Sequence, residues 1–336
     1  MPSDYQIAAL GDLPLQSGRI LTDARLAYQT FGQLNVAGDN VVLLPSYYTG
    51  NHRSYSGWIG AGRPLDPARW FIVTVNLFGN GYSTSPSNSA TQGGADFPRV
   101  SLEDNIQAQR RLLWEVLGVR SLALVGGWSM GAMQAFNWAI RYADDVRALL
   151  AVCGTARCWP LNQVFLEGVR AALQADQNYS AGRYRSPPEA GLRAFGRAYA
   201  GWAYSAQFFR EQLYRDLGFD SLEQLLLDWE QDHMRHDAND LLCVLDSWHQ
   251  ADPSQLAHGG DLGAALGAIR ARCAVMPGST DSYFTEAEAR LEWRSLGNAQ
   301  CLPLNSPYGH CAGAPGRFAV ETASIDRVLG ELLAGI

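Results

Sequence analysis

The stretch of this chain best suited to chemistry is Gly127-Trp128-Ser129-Met130-Gly131. A serine with glycine two positions away on either side fits a sharp, strained turn, where bulkier neighbours would collide. Such a turn lifts the hydroxyl clear of its surroundings and makes it a candidate nucleophile. A serine hydroxyl is too weak an acid to attack a carbonyl unaided, so it needs a base, and the base needs an orienting carboxylate. Of six histidines, only His310, in Ser306-Pro-Tyr-Gly-His310, follows the second block of strand-like segments. Asp281 precedes it in Ser279-Thr-Asp-Ser282. An aspartate there also suits a simple turn-former, but its place ahead of His310 favours the acid role. Together the three residue types point to acyl chemistry.

The elements around them fit that placement. Residues 122–126 form an apolar run without helical period, as a buried parallel strand does. Residues 132–140 form a helical segment whose positive end points at Ser129. Further strands are expected at residues 40–45, 69–76, 146–153 and 272–278. Another is expected at 299–304, with Pro303 arguing for an edge or a bend. Ser101 and Asp104 open a helix as N-cap and capping-box residue, running to about Leu117 and ending at Gly118. An amphipathic helix closes the chain from Phe318 to Leu333.

From Trp159 to Gln250 the spacing turns helical. Val164-Phe165-Val169-Leu173 and Leu222-Leu225-Leu226-Trp229 both follow i, i+3, i+4 patterns, and only residues 179–188 break them. An α/β protein is therefore expected, with a mostly parallel sheet and an inserted helical lid. Core segments would span 1–158 and 263–336, and the lid 159–262. The lid aromatics Phe165, Tyr199, Trp202, Tyr204, Phe208, Phe209, Trp229 and Trp248 read as packing residues first and binding surface second.

Composition narrows the partners. The formal charge of -7 over 336 residues argues against nucleic acid or an anionic membrane surface as main partner. All 26 basic residues are arginine, which excludes a Schiff-base lysine, a Walker-type phosphate lysine and a Ser–Lys dyad. The loop 77–88 is rich in Gly, Ser and Asn but lacks G-x-G-x-x-G spacing, so a phosphate cradle is a weak reading. Six cysteines without a C-x-x-C pair indicate neither zinc site nor disulfide framework. No apolar stretch is long enough to span a bilayer and the first residues lack a signal-peptide layout, so a cytoplasmic protein without cofactor or metal is expected.

In α/β-hydrolases the triad follows the chain order serine, acid, histidine at strand ends, as Ser129, Asp281 and His310 do. The chain resembles the homoserine O-acetyltransferase family of that fold, including its esterase-like members, in register over most of its length. The resemblance rests on Gly57-Trp-Ile-Gly-Ala-Gly-Arg-Pro-Leu-Asp-Pro-Ala-Arg-Trp-Phe-Ile-Val73 and Asn76-Leu-Phe-Gly-Asn-Gly-Tyr-Ser-Thr-Ser-Pro-Ser87. It rests also on Gly127-Trp-Ser-Met-Gly-Ala-Met-Gln134, Asp237-Ala-Asn239 and Gly309-His310. It implies Ser129, Asp281 and His310 as triad, and oxyanion-hole amides from Met130 and from Tyr48 in Ser46-Tyr-Tyr-Thr-Gly50. From composition alone that loop is equally a plain surface loop. The resemblance further implies ping-pong acyl transfer and a homodimer built on the lid.

Two departures bear on the acyl acceptor. Family members that act on homoserine carry Gly-His-Asp, whose aspartate is expected to hold the substrate ammonium. Here the position is Cys311, and an ammonium in a dry pocket without a counter-charge costs several kcal/mol. The family's His-Ala-Leu-Thr-Gly loop is the bulkier Ser46-Tyr-Tyr-Thr-Gly50. The expected activity is hydrolysis of small, short-acyl carboxylic esters. The alternatives are acyl transfer from a thioester to a small alcohol other than homoserine, and a catalytically inert relative serving as a binding protein.

Overall fold

The computed structural model describes residues 4–336. Eight strands form one sheet: β1 (Gln6–Pro14), β2 (Ile20–Phe31), β3 (Val41–Pro45), β4 (Phe71–Val75), β5 (Leu122–Trp128), β6 (Ala148–Val152), β7 (Arg272–Met276) and β8 (Ala299–Cys301). Their spatial order is β1-β2-β4-β3-β5-β6-β7-β8. Only β1 with β2 and β2 with β4 pair antiparallel; from β4 to β8 every pairing is parallel. β3, β4 and β6 are buried at every residue, which is why they read as unbroken apolar runs rather than alternating ones.

Helices cover both faces. On one, α1 (Leu102–Arg111) and α2 (Met130–Arg141) bury Ile106, Phe136 and Trp138 against Val73, Val125 and Leu149. On the other, α11 (Ala319–Leu333) packs Ile325, Val328 and Leu329 against Val42, Leu124 and Leu150. Each such side chain contributes roughly 1.5–3 kcal/mol when fully buried. Between β6 and β7 the chain forms α3 (Pro160–Gln174), α4 (Glu189–Ala203), α5 (Ala206–Arg210), α6 (Leu222–His233), α7 (Ala238–His249), α8 (Ser254–Ala257) and α9 (Leu262–Gly267). α10 (Glu286–Trp293) follows β7. The inserted helices share an apolar cluster in which Phe165, Tyr204, Phe208 and Trp248 meet Tyr48, Met130 and Met133 of the sheet half.

Two elements depart from their expected course. The helix opened by Ser101 has both arms of the capping box, but its regular part ends at Arg111 and a wider π-turn, Leu112–Val116, carries it to Leu117. The last strand stops at Cys301 rather than Leu304, and Pro303 falls where the backbone of this edge strand faces away from β7, so its missing N–H costs no ladder bond. Leu302 and Leu304 still donate to the carbonyls of Val275 and Pro277 at 2.8 Å, so the chain keeps beside β7 past the proline.

Candidate active site

Ser129 joins β5 to α2 with φ 60 and ψ -128, a region that L-residues rarely adopt. Three glycines make room for it. A Cβ on Gly127 would collide with the backbone of Gly131, and one on Gly131 with the Tyr55 hydroxyl and Pro45 carbonyl. One on Gly154 would lie 2.7 Å from the Ser129 carbonyl oxygen. The Ser129 amide donates to Val152 O at 2.9 Å, so the turn is clamped to the neighbouring strand.

The structure brings the three sequence-selected side chains together across 181 and 29 residues of chain. His310 Nε2 lies 2.8 Å from Ser129 Oγ, and His310 Nδ1 lies 2.7 Å from Asp281 Oδ2. Asp281 Oδ1 accepts from the amides of Tyr283 at 3.1 Å and Phe284 at 3.0 Å. With both carboxylate oxygens engaged as acceptors, Nδ1–H is the donor to Asp281, and the Nε2 lone pair faces the serine. All three residues are buried.

The loops that carry Asp281 and His310 are tied to each other. Thr280 Oγ1 donates to Ser306 O at 2.7 Å and accepts from Gly309 N at 3.1 Å. His310 itself lies in the 3-10 turn Gly309–Gly313 beyond β8. The Trp128 indole donates to His310 O at 3.1 Å and stacks on the imidazole at 5.0 Å. Tyr283 packs against the same ring at 4.4 Å.

The loop with Tyr48 and the head of α2 with Met130 are joined by one buried side chain. Gln134 donates to Ser46 O at 2.7 Å and to Met130 O at 3.3 Å. Its own carbonyl accepts from Gln109 at 2.7 Å, and Gln109 accepts from the Trp138 indole at 2.8 Å. Tyr55 adds a second link, donating to Pro45 O at 2.9 Å and accepting from Trp128 N at 3.2 Å. The Met130 amide heads a helix and has no intrahelical carbonyl to bond. The Tyr48 side chain reaches the inserted helices instead, donating to Leu241 O at 3.2 Å.

A cavity of about 310 Å³ opens over Ser129, walled by Tyr47, Tyr48, Tyr199, Trp229 and Tyr283 with Cys311 and Arg317. That is at the small end for ligand sites. Burial pushes the Cys311 thiol up and the Tyr47 phenol up to about 12, so both are neutral at pH 7. His233 is pushed down to about 4 by burial and is neutral too. Asp228 and Asp232 of α6 line the same cavity, but both are solvent-exposed. A neighbouring cavity of about 530 Å³ shares Tyr48, Thr49, Gly50 and Asp232 and contains none of Ser129, Asp281 or His310.

Sequence reasoning did not find Trp128, Tyr283, Gln134 or Arg317 as site residues. Trp128 and Gln134 sit inside the elbow segment, so their position was a signal. Tyr283 and Arg317 carry none in the sequence, because their roles come from loops that meet only in space. Tyr199 and Trp229, expected as packing, pack and also wall the cavity.

Residues 39–241 match the family described as alpha/beta hydrolase fold. The chain belongs to that α/β-hydrolase family. It is similar to the ethyl acetate hydrolase of Pseudomonas veronii, 37% identical over 98% of this chain and 95% of the relative. It is also similar to the homoserine O-acetyltransferase of Zymomonas mobilis, 30% identical over 97% of this chain and 95% of the relative. The crystal structure of the acetyl esterase MekB superposes with a TM-score of 0.96 at 36% identity, covering 99% of this chain and 97% of that one. This α/β-hydrolase therefore shares its whole length, insertion included, with chains named for ester hydrolysis.

Proposed function

We propose that this α/β-hydrolase cleaves small carboxylic esters, foremost acetyl and other short-acyl esters, through an acyl-enzyme on Ser129. The observation that carries the reading is the continuous relay from Ser129 Oγ to His310 at 2.8 Å and from His310 to Asp281 at 2.7 Å. His310 takes the Ser129 proton as Oγ attacks the acyl carbon, and Asp281 stabilises the imidazolium. The tetrahedral oxyanion sits on the amides of Tyr48 and Met130, each such donor lowering the barrier by roughly 2.7–4 kcal/mol. His310 then protonates the departing alcohol oxygen, and the ester bond breaks. A water deprotonated by His310 attacks the acyl-enzyme, releasing the carboxylic acid and restoring Ser129.

Residues 159–262 act as the lid in this reading, and 1–158 with 263–336 as the core that holds the relay. The names of the relatives, ethyl acetate hydrolase and acetyl esterase, support a short acyl group, and so does a cavity of about 310 Å³. A second reading, acyl transfer to a small alcohol, draws support from the homoserine O-acetyltransferase relative. Cys311 disfavours an ammonium-bearing acceptor for it. We place the reaction in the cytoplasm, whose reducing conditions suit six free cysteines. The expected homodimer would contact through the lid, where Val164, Leu222 and Leu227 stand exposed.

Product partition tests the reading. With an acetyl ester and increasing alcohol or homoserine, free acetate is expected as the dominant product throughout. A new acetyl ester that rises at the expense of acetate would show transfer instead.

A further inference from the structure

Arg317 lines the cavity over Ser129 with an exposed side chain. Other arginines of the protein are clamped by carboxylates; Arg170 lies between Glu167 and Asp246, and Arg197 between Glu223 and Glu230. Arg317 has no carboxylate within ion-pair distance among the described residues. Its Nη2 donates to the Tyr204 hydroxyl at 2.5 Å, and its Nη1 lies 4.0 Å from Cys311 Sγ. The rings of Tyr204 and Phe318 each sit 5.6 Å from the guanidinium carbon, holding it in place without neutralising it.

One position from which a side chain could pair this charge is 311, whose Sγ lies 4.0 Å from Nη1 and which is next in sequence to His310. A carboxylate there would neutralise the guanidinium; the buried thiol present does not. Asp228 and Asp232 also line the cavity from α6; Asp228 acts on the guanidinium through space but makes no ion pair with it, and exposure to solvent weakens that attraction. A fixed guanidinium with N–H groups still free matches a carboxylate in charge and in fork geometry.

Building on the ester-hydrolase reading, we propose that Arg317 is a specificity anchor for esters that carry a free carboxylate. The carboxylate could belong to the acyl half, as in a half-ester of a short dicarboxylic acid, or to the alcohol half, as in an acetylated hydroxy acid. Both place an anion a few bonds from the scissile carbonyl, and the test separates them.

Two matched pairs provide the test: monomethyl succinate against methyl succinamate, and acetoxyacetate against acetoxyacetamide. In each pair a carboxylate is exchanged for an isosteric neutral amide, on the acyl side in the first and the alcohol side in the second. The wild-type kcat/KM ratio, carboxylate over amide, is expected to exceed about tenfold in one pair, the size of a charge-assisted hydrogen bond. In Arg317→Met that ratio falls to about one, and Arg317→Lys, which keeps a charge without the fork, restores part of it. Cys311→Asp, which pairs the guanidinium without removing it, collapses the same ratio and serves if the Arg317 variants do not fold. Wild-type ratios at or below one in both pairs, with the amides hydrolysed, overturn the anchor and leave ester hydrolysis standing. A ratio unchanged in Arg317→Met, with both members slowed alike, overturns it as well by showing a structural role. Failure on all four esters strikes the ester-hydrolase reading itself.

Discussion

Asp281→Asn isolates the role of the carboxylate, because the structure dictates how the new side chain must sit. Asp281 Oδ1 takes two backbone amides, Tyr283 and Phe284, at 3.1 and 3.0 Å. An asparagine that turned its NH2 toward them would lose both bonds and leave donors facing donors, at roughly 1–3 kcal/mol for each buried group left unsatisfied. Its carbonyl therefore stays on the amides and its NH2 faces His310 Nδ1. That nitrogen must now accept, so the ring proton moves to Nε2, which faces Ser129 Oγ at 2.8 Å. An imidazole with its proton on that side cannot take one from serine. A tautomer locked the wrong way costs about 10⁴-fold in kcat in such triads, or about 5.5 kcal/mol of barrier. The assay is kcat/KM on a short acetyl ester, with far-UV circular dichroism and the thermal midpoint as controls for folding. A loss of less than about tenfold in a folded variant would refute the assigned tautomer and with it the catalytic role of Asp281.

Three further outcomes follow from packing and burial. Gly131→Ala pushes a Cβ into the Tyr55 hydroxyl and the Pro45 carbonyl and should cost about 1–3 kcal/mol of stability along with activity. Gly168→Ala, in α3 with nothing within 4 Å of the new atom, should instead raise stability by up to about 1 kcal/mol, both variants being compared with wild type by urea unfolding. Burial raises the Asp240 carboxyl to about 7 despite hydrogen bonds from the Ser87 amide and hydroxyl. The fold thus holds this proton more tightly than the unfolded chain, so its contribution is full below about pH 4 and is lost as pH rises toward 7. The loss amounts to at most about 4 kcal/mol, at 1.4 kcal/mol per pH unit. Asp240→Asn should match wild type near pH 4 and exceed it increasingly up to pH 7 in urea unfolding; a gap independent of pH would contradict the assigned burial.

What the sequence made legible was whatever depends on neighbours along the chain. The elbow 127–131 could be read because a strained serine demands glycines at fixed offsets. β3, β4 and β6 could be read because strands buried on both faces are apolar at every position. The Ser101–Asp104 capping box is likewise a local device. Asp281 and His310 were reachable through their order and their position past strand-like segments, although no local pattern distinguishes Asp281 from an ordinary turn residue. What stayed hidden depends on loops converging in space. The short β8 shifted one expected end by a few residues, and the π-turn after Arg111 lies within the expected helix without moving its end at Leu117. Tyr283 beside the imidazole, the Trp138–Gln109–Gln134 chain beneath the Tyr48 loop, and Arg317 beside Cys311 all unite residues from different elements. No periodicity in the sequence records such contacts.

Every step of the proposed reaction depends on Ser129, activated by His310, being the attacking group. A fluorophosphonate probe followed by peptide mass mapping tests it most directly. One label per chain is expected, on the peptide carrying Ser129, with labelling lost in Ser129→Ala and slowed in His310→Ala in step with ester hydrolysis. Hydrolysis that persists in Ser129→Ala, or a label that maps elsewhere, would contradict it.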